Sequence, residues 1–149
     1  MAAAKPLTGV GFNGFSRSYN AYDKSHDFGE DRSVHSVWFG LVSELGYPGL
    51  ALFVVILLMA MWSCQRVAKI TRGNPLQSDL AAYAWALTTS FFVFAAGGTF
   101  LPAQYNEMFW HFVGIAIALH SITLLEHDTA TVIVEAPTTA IGLAWPARA

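Results

Sequence analysis

The chain has 149 residues, 54% of them hydrophobic and only 12% charged, with a net charge of −2. Soluble domains carry about a quarter charged residues, so this composition points to a membrane protein, and the absence of any basic cluster excludes a nucleic-acid binder. The single cysteine, Cys64, excludes an intramolecular disulfide and a cysteine-spaced zinc site.

The opening stretch, "MAAAKPLTGVGFNGF", lacks the basic start, apolar core and cleavage site of a signal peptide. Its Gly9, Gly11 and Gly14 lack the strand–turn–helix setting and following lysine of a phosphate loop. The stretch therefore reads as a loop that uses glycine flexibility at the membrane surface. Next comes the polar "SRSYNAYDKSHDFGEDR", with two tyrosines suited to an interface. Its His26, Asp27, Glu30 and Asp31 have no ligand spacing, so a solvated loop is expected and no metal.

From Val34 to Leu45 a helical period sets in. Val34, Val37, Trp38, Leu41, Val42 and Leu45 form an apolar stripe. Arg32, His35, Ser36 and Ser43 gather opposite it, with Glu44 toward the flank. The pattern predicts an interfacial amphipathic helix over about 34–45, its apolar face sunk in the membrane. "GYPG" ends it, Gly46 serving as cap and Pro48 starting the next helix.

Three spans follow. Residues 46–65 carry no formal charge and are long enough to cross a hydrocarbon core of about 30 Å. Residues 80–100 form the second span and 108–125 the third. "LPAQYNE", 101–107, joins these two as a hairpin. Arg66, Lys69 and Arg72 fall in the 66–79 loop, which the positive-inside rule assigns to the cytoplasm. Residues 1–44 and the hairpin are then periplasmic, and the 126–149 tail cytoplasmic. The fold class expected is all-α integral membrane, three transmembrane helices preceded by a loop bearing an interfacial helix. A long outer segment without a signal peptide further suggests that Met1 is an internal position of a longer protein.

His35 reads either as a solvated interfacial histidine or as a general base, since imidazole titrates near neutrality and can take a proton from a hydroxyl. Spacing leaves both open. Glu107 and His111 could share a helix face near one end of the third span, where headgroup water makes a solvated reading the better one. His111 and His120 are half a turn out of phase. Cys64 reads as a small hydrophobe, and Gly97 and Gly98 as sites of close helix packing or a kink. The tail carries no assignable work and is expected to be poorly ordered.

"VHSVWFGLVSELGYPGLALFVVILL", 34–58, resembles the C-terminal signature of the O-antigen ligase and polymerase superfamily, in which a histidine, an aromatic-aliphatic helix, Glu-x-Gly and a Gly-Leu-rich span close the large periplasmic loop. "KPLTGVGFNGF" resembles the same family's stretch at the start of that loop. "FAAGGTFLPAQYNEMFWHFVGIAIAL", 94–119, is similar to the final hairpin of O-glycosylation ligases of the exosortase A system. The resemblance covers about residues 4–125. It departs from the family in having far fewer spans, in lacking the upstream arginines usually assigned to the diphosphate, and in placing Ser36 where the better-known ligases have asparagine.

The resemblance implies a multi-pass protein of the bacterial inner membrane that moves a glycan from an undecaprenyl diphosphate carrier to an acceptor glycan or protein hydroxyl, with no cofactor and no metal. By the same resemblance His35 matches the histidine that activates the acceptor or contacts the donor. Glu44 matches the glutamate before glycine, as a substrate contact or a structural residue at the helix-to-span junction. Arg32 becomes a candidate for the diphosphate, because guanidinium pairs with phosphate oxygens in bidentate fashion. With three spans and part of one loop, the chain reads as the C-terminal third of such an enzyme, inactive alone. An O-antigen-type polymerase and a small structural membrane protein of a polysaccharide export complex are the alternatives.

Overall fold

The computed structural model describes residues 1–23 and 34–135. All the regular structure among them is helical: α1 (Phe15–Tyr22), α2 (Val37–Ile70), a 3-10 turn (Pro75–Gln77), α3 (Ser78–Gly97) and α4 (Glu107–Glu135). Three of these, α2, α3 and the Glu107–His127 part of α4, are long and apolar enough to cross a membrane. The proposed diphosphate ligand Arg32, the acidic group His26, Asp27, Glu30 and Asp31, and the tail beyond 135 lie outside the described residues.

The helix boundaries differ from the sequence expectation where a helix has no reason to stop. α2 continues past Arg66 to Ile70, because the first breaker is Gly73 (φ 87°), followed by Pro75. α4 likewise runs past Leu125 to Glu135. It begins after Asn106, whose Oδ1 accepts the Met108 N–H at 2.8 Å in the manner of an N-cap. The sequence reads this stretch as loop, but residues 15–22 form α1; it is mostly polar and only eight residues long, and a helix of that length depends on tertiary contacts. Among the described helices, α1 packs against α2.

α2 is broken at Gly46, where φ 72° and ψ −175° belong to a region open essentially only to glycine. In a straight helix Trp38 and Phe53 would stand about 22 Å apart. Their rings instead meet edge-on at 6.2 Å, so the 37–45 limb folds back sharply against the 47–70 limb. The 37–45 limb starts at Val37 rather than Val34. Val37 and Leu41 of the apolar stripe are buried inside the protein, and so are Ser43 and Glu44 from its other side.

α2, α3 and α4 pack mutually, and helices consecutive in the chain run in opposite directions, as the contacts at the two ends show. At one end the Val37 N–H donates to the Gly98 carbonyl at 2.7 Å, so an orphan donor at the start of α2 meets an orphan acceptor at the end of α3. At the other end Gln77 Nε2 donates to Glu126 Oε2 at 3.2 Å. Buried Ala60, Cys64, Ala84 and Ala116 allow close backbone approach, which matters in lipid, where packing rather than water exclusion joins helices. Thr71, Thr88 and Thr123 are also buried, and each hydroxyl donates to a carbonyl four residues back, so these three hydroxyls are satisfied within their own helices.

Phe109 is the centre of the core at 1% exposure, stacked on Phe53 at 4.5 Å and close to Phe94 at 5.0 Å. Phe109→Ala removes contacts to both α2 and α3 at once. It is expected to destabilise the bundle by about 3 kcal/mol, seen as a lowered thermal midpoint in detergent, with Phe109→Leu losing clearly less.

Candidate functional site

The break at Gly46 frees backbone groups that a continuous helix would pair. The Ser43 carbonyl would accept from Tyr47 N and the Glu44 carbonyl from residue 48, but Pro48 has no N–H. The N-terminal glycine stretch fills both vacancies. Val10 N donates to Ser43 O and Gly11 N to Glu44 O, each at 2.9 Å, while Tyr47 N turns to Pro6 O at 2.8 Å. Only glycine fits at the contact. A Cβ on Gly9 (φ 61°) would stand 2.4 Å from the Glu44 carbonyl carbon and oxygen, and one on Gly46 would stand 2.6 Å from Pro6 O.

The Glu44 side chain completes the junction. It is 3% exposed. Its Oε1 accepts the Phe15 N–H at 3.1 Å, the first free donor of α1. A carboxylate there also faces the positive end of the helix dipole. Its Oε2 accepts a short hydrogen bond, 2.5 Å, from the Tyr105 hydroxyl on the 101–107 hairpin. The Phe12 ring sits 4.4 Å from that of Tyr105. One buried carboxylate thus ties together α2, the N-terminal loop with α1, and the α3–α4 hairpin.

The Tyr105 phenol is pushed up to about 12, first by burial, then by its hydrogen bond to Glu44 and by the charge on that carboxylate; the Asn13 backbone N–H offsets this in part. Sequence reasoning read "LPAQYNE" as a bend and missed Tyr105. A buried carboxylate requires a donor, but no spacing in the sequence says which of the five tyrosines supplies it.

Glu44 has both oxygens engaged internally, so a substrate contact through it would require Phe15 or Tyr105 to let go. His35 is exposed and lies just before the α2 N-cap, Ser36, outside the helix. The structure does not bring His35 and Glu44 together: two helical turns separate them along the 37–45 limb. Near them, Ser36 Oγ and Gln104 Oε1 are buried without a hydrogen-bond partner, and Gln104 lies against Gly40, where a Cβ would meet its Nε2 at 2.7 Å. His111 Nδ1 bonds its own helix at Glu107 O, 2.8 Å away, not the Glu107 carboxylate. No group of three or more metal-binding side chains occurs among the described residues. No family model matches the chain, and neither a curated protein nor a solved structure does.

Two outcomes test the junction. Gly9→Ala is expected to detach the N-terminal segment at a loss on the order of 2 kcal/mol, read as faster proteolysis at Lys5 and Arg17; Gly97→Ala, where a Cβ meets open space, leaves proteolysis unchanged. Since the folded Tyr105 phenol ionises above the ordinary 10, its contribution to stability is complete below pH 10 and lost as pH rises through about 12. Glu44→Gln removes the neighbouring charge, so the onset of tyrosinate absorbance should move down toward 10 in the difference titration against wild type.

Proposed function

We propose that this chain is the C-terminal part of a bacterial inner-membrane glycosyltransferase of the O-antigen ligase type, acting at the periplasmic face on a glycan carried by undecaprenyl diphosphate. One observation supports the reading above the others. The three stretches that carry the resemblance, 5–15, 34–58 and 94–119, lie far apart in sequence and meet around Glu44.

In this reaction the acceptor hydroxyl oxygen forms a bond to the anomeric carbon of the glycan. The bond from that carbon to the phosphate oxygen breaks, and undecaprenyl diphosphate leaves with the electron pair. His35, exposed ahead of the 37–45 limb, takes the hydroxyl proton. Arg32 pairs with the diphosphate oxygens as charge builds on them. Glu44 is a positioning residue: through Phe15 and Tyr105 it fixes the loop and hairpin beside the limb that His35 precedes. The rest of the carrier site belongs to a longer parent protein.

Complete internal use of Glu44 and an exposed His35 also fit a small structural membrane protein of a polysaccharide export complex. His35→Ala in the parent protein separates the two. Loss of glycan transfer by a factor of about 10² to 10⁴ at unchanged protein level is expected for a general base; unchanged transfer would leave the structural reading. An O-antigen-type polymerase would be distinguished by its product, a longer carrier-bound glycan in place of a glycan on a new acceptor.

A further inference from the structure

The end of the bundle opposite Glu44 holds a groove between the α2–α3 turn and the flank of α3, with a cavity volume of about 900 Å³. Lys69 and Arg72 stand at its mouth, and Ala81, Trp85 and Phe92 of α3 form its wall. Among the described residues no carboxylate lines it. Glu126, an acid of α4 at this end, is engaged by Gln77. The hydroxyls of Thr71 and Thr88, which also line it, are turned back onto their own helices. The groove is therefore cationic at the rim and apolar along its length.

That gradient runs along α3, one of the three helices long and apolar enough to cross a membrane. From Ser78 at the mouth to Phe92 is about 21 Å along α3, well into a hydrocarbon core roughly 30 Å thick. Trp85 and Phe92, two turns apart on one face, are 64% and 59% exposed. A free anion would use the rim and leave this wall uncovered. A neutral apolar molecule would leave two cations without a counter-charge. Arg66, on the same turn of the chain, is not part of the groove; its guanidinium lies 4.9 Å over the Trp62 ring.

We propose that this groove binds an anionic phospholipid, with its phosphate between Lys69 and Arg72 and an acyl chain along Trp85 and Phe92. The cations attract the headgroup where an anionic leaflet concentrates it, and the aromatic wall gives the chain a fixed surface that bulk lipid lacks. The site is independent of the glycosyltransferase reading.

The test is native mass spectrometry of the full chain released from nanodiscs of equal phosphatidylglycerol and phosphatidylcholine. Wild type is expected to retain phosphatidylglycerol with about a tenfold preference, which Lys69→Gln with Arg72→Gln brings close to one. Arg66→Gln keeps the preference. Ala81→Phe, which fills the groove without touching the charges, loses it. Excess glycerol phosphate, which has the headgroup chemistry and no chain, leaves the bound lipid in place. Equal retention of the two lipids by wild type, undiminished preference in the Lys69/Arg72 variant, equal loss in Arg66→Gln, or displacement by glycerol phosphate would each overturn the proposal. The Lys69/Arg72 variant changes exposed rim residues only, so its circular dichroism should match wild type and its result stands without Ala81→Phe.

Discussion

The structure depends on an interrupted helix whose lost hydrogen bonds are remade by a distant segment. At Gly46 the backbone leaves helical geometry, and Pro48 cannot donate. Two carbonyls would be stranded at a site with no guaranteed access to water. An unpaired buried backbone group is costly in any protein and more so near lipid. Val10 and Gly11 supply the missing donors, and Pro6 takes the one that is displaced. The break therefore fixes the N-terminal loop, and the loop in turn makes the break tenable.

The remaining contacts at this end follow from that exchange. With Gly9 pressed on the Glu44 backbone, the chain from Gly11 to Gly14 turns so that α1 begins over the Glu44 carboxylate. The same carboxylate then has one oxygen left, and the α3–α4 hairpin reaches it through Tyr105. The hairpin is held from the other side by the end of α3, where Gly98 receives the Val37 N–H and Trp38 Nε1 donates to Thr99 Oγ1 at 3.2 Å. The Glu44 assembly rigidifies because both carboxylate oxygens and both carbonyls of the break are satisfied.

The two ends of the bundle have opposite characters. At one end the Glu44 carboxylate is buried and consumed by internal hydrogen bonds. At the other end Lys69 and Arg72 are exposed and meet no carboxylate of the described residues along the groove. Between them the helices are joined by small residues and a ring cluster centred on Phe109, which suits a setting where dispersion and close approach replace the hydrophobic effect as the source of association.

The sequence alone determined that there are three long apolar helices, because a charge-free run near twenty residues is a local property that any window of the chain displays. It also marked the break at "LGYPG", since glycine and proline restrict the backbone wherever they stand. Helix ends were less legible: α2 and α4 outrun their apolar windows because a helix continues until something stops it, whatever its polarity. α1 escaped notice because a mostly polar run of eight residues has no helical stability of its own. Only the tertiary structure decided that Glu44 is buried, that Phe15 and Tyr105 are its donors, and that Gly9 sits on its backbone. Those partners lie 29 and 61 positions away for the two hydrogen bonds, and no periodicity links them. Which groups satisfy a broken helix is settled by what the fold brings within 3 Å, and that distance is not written in any one stretch of the chain.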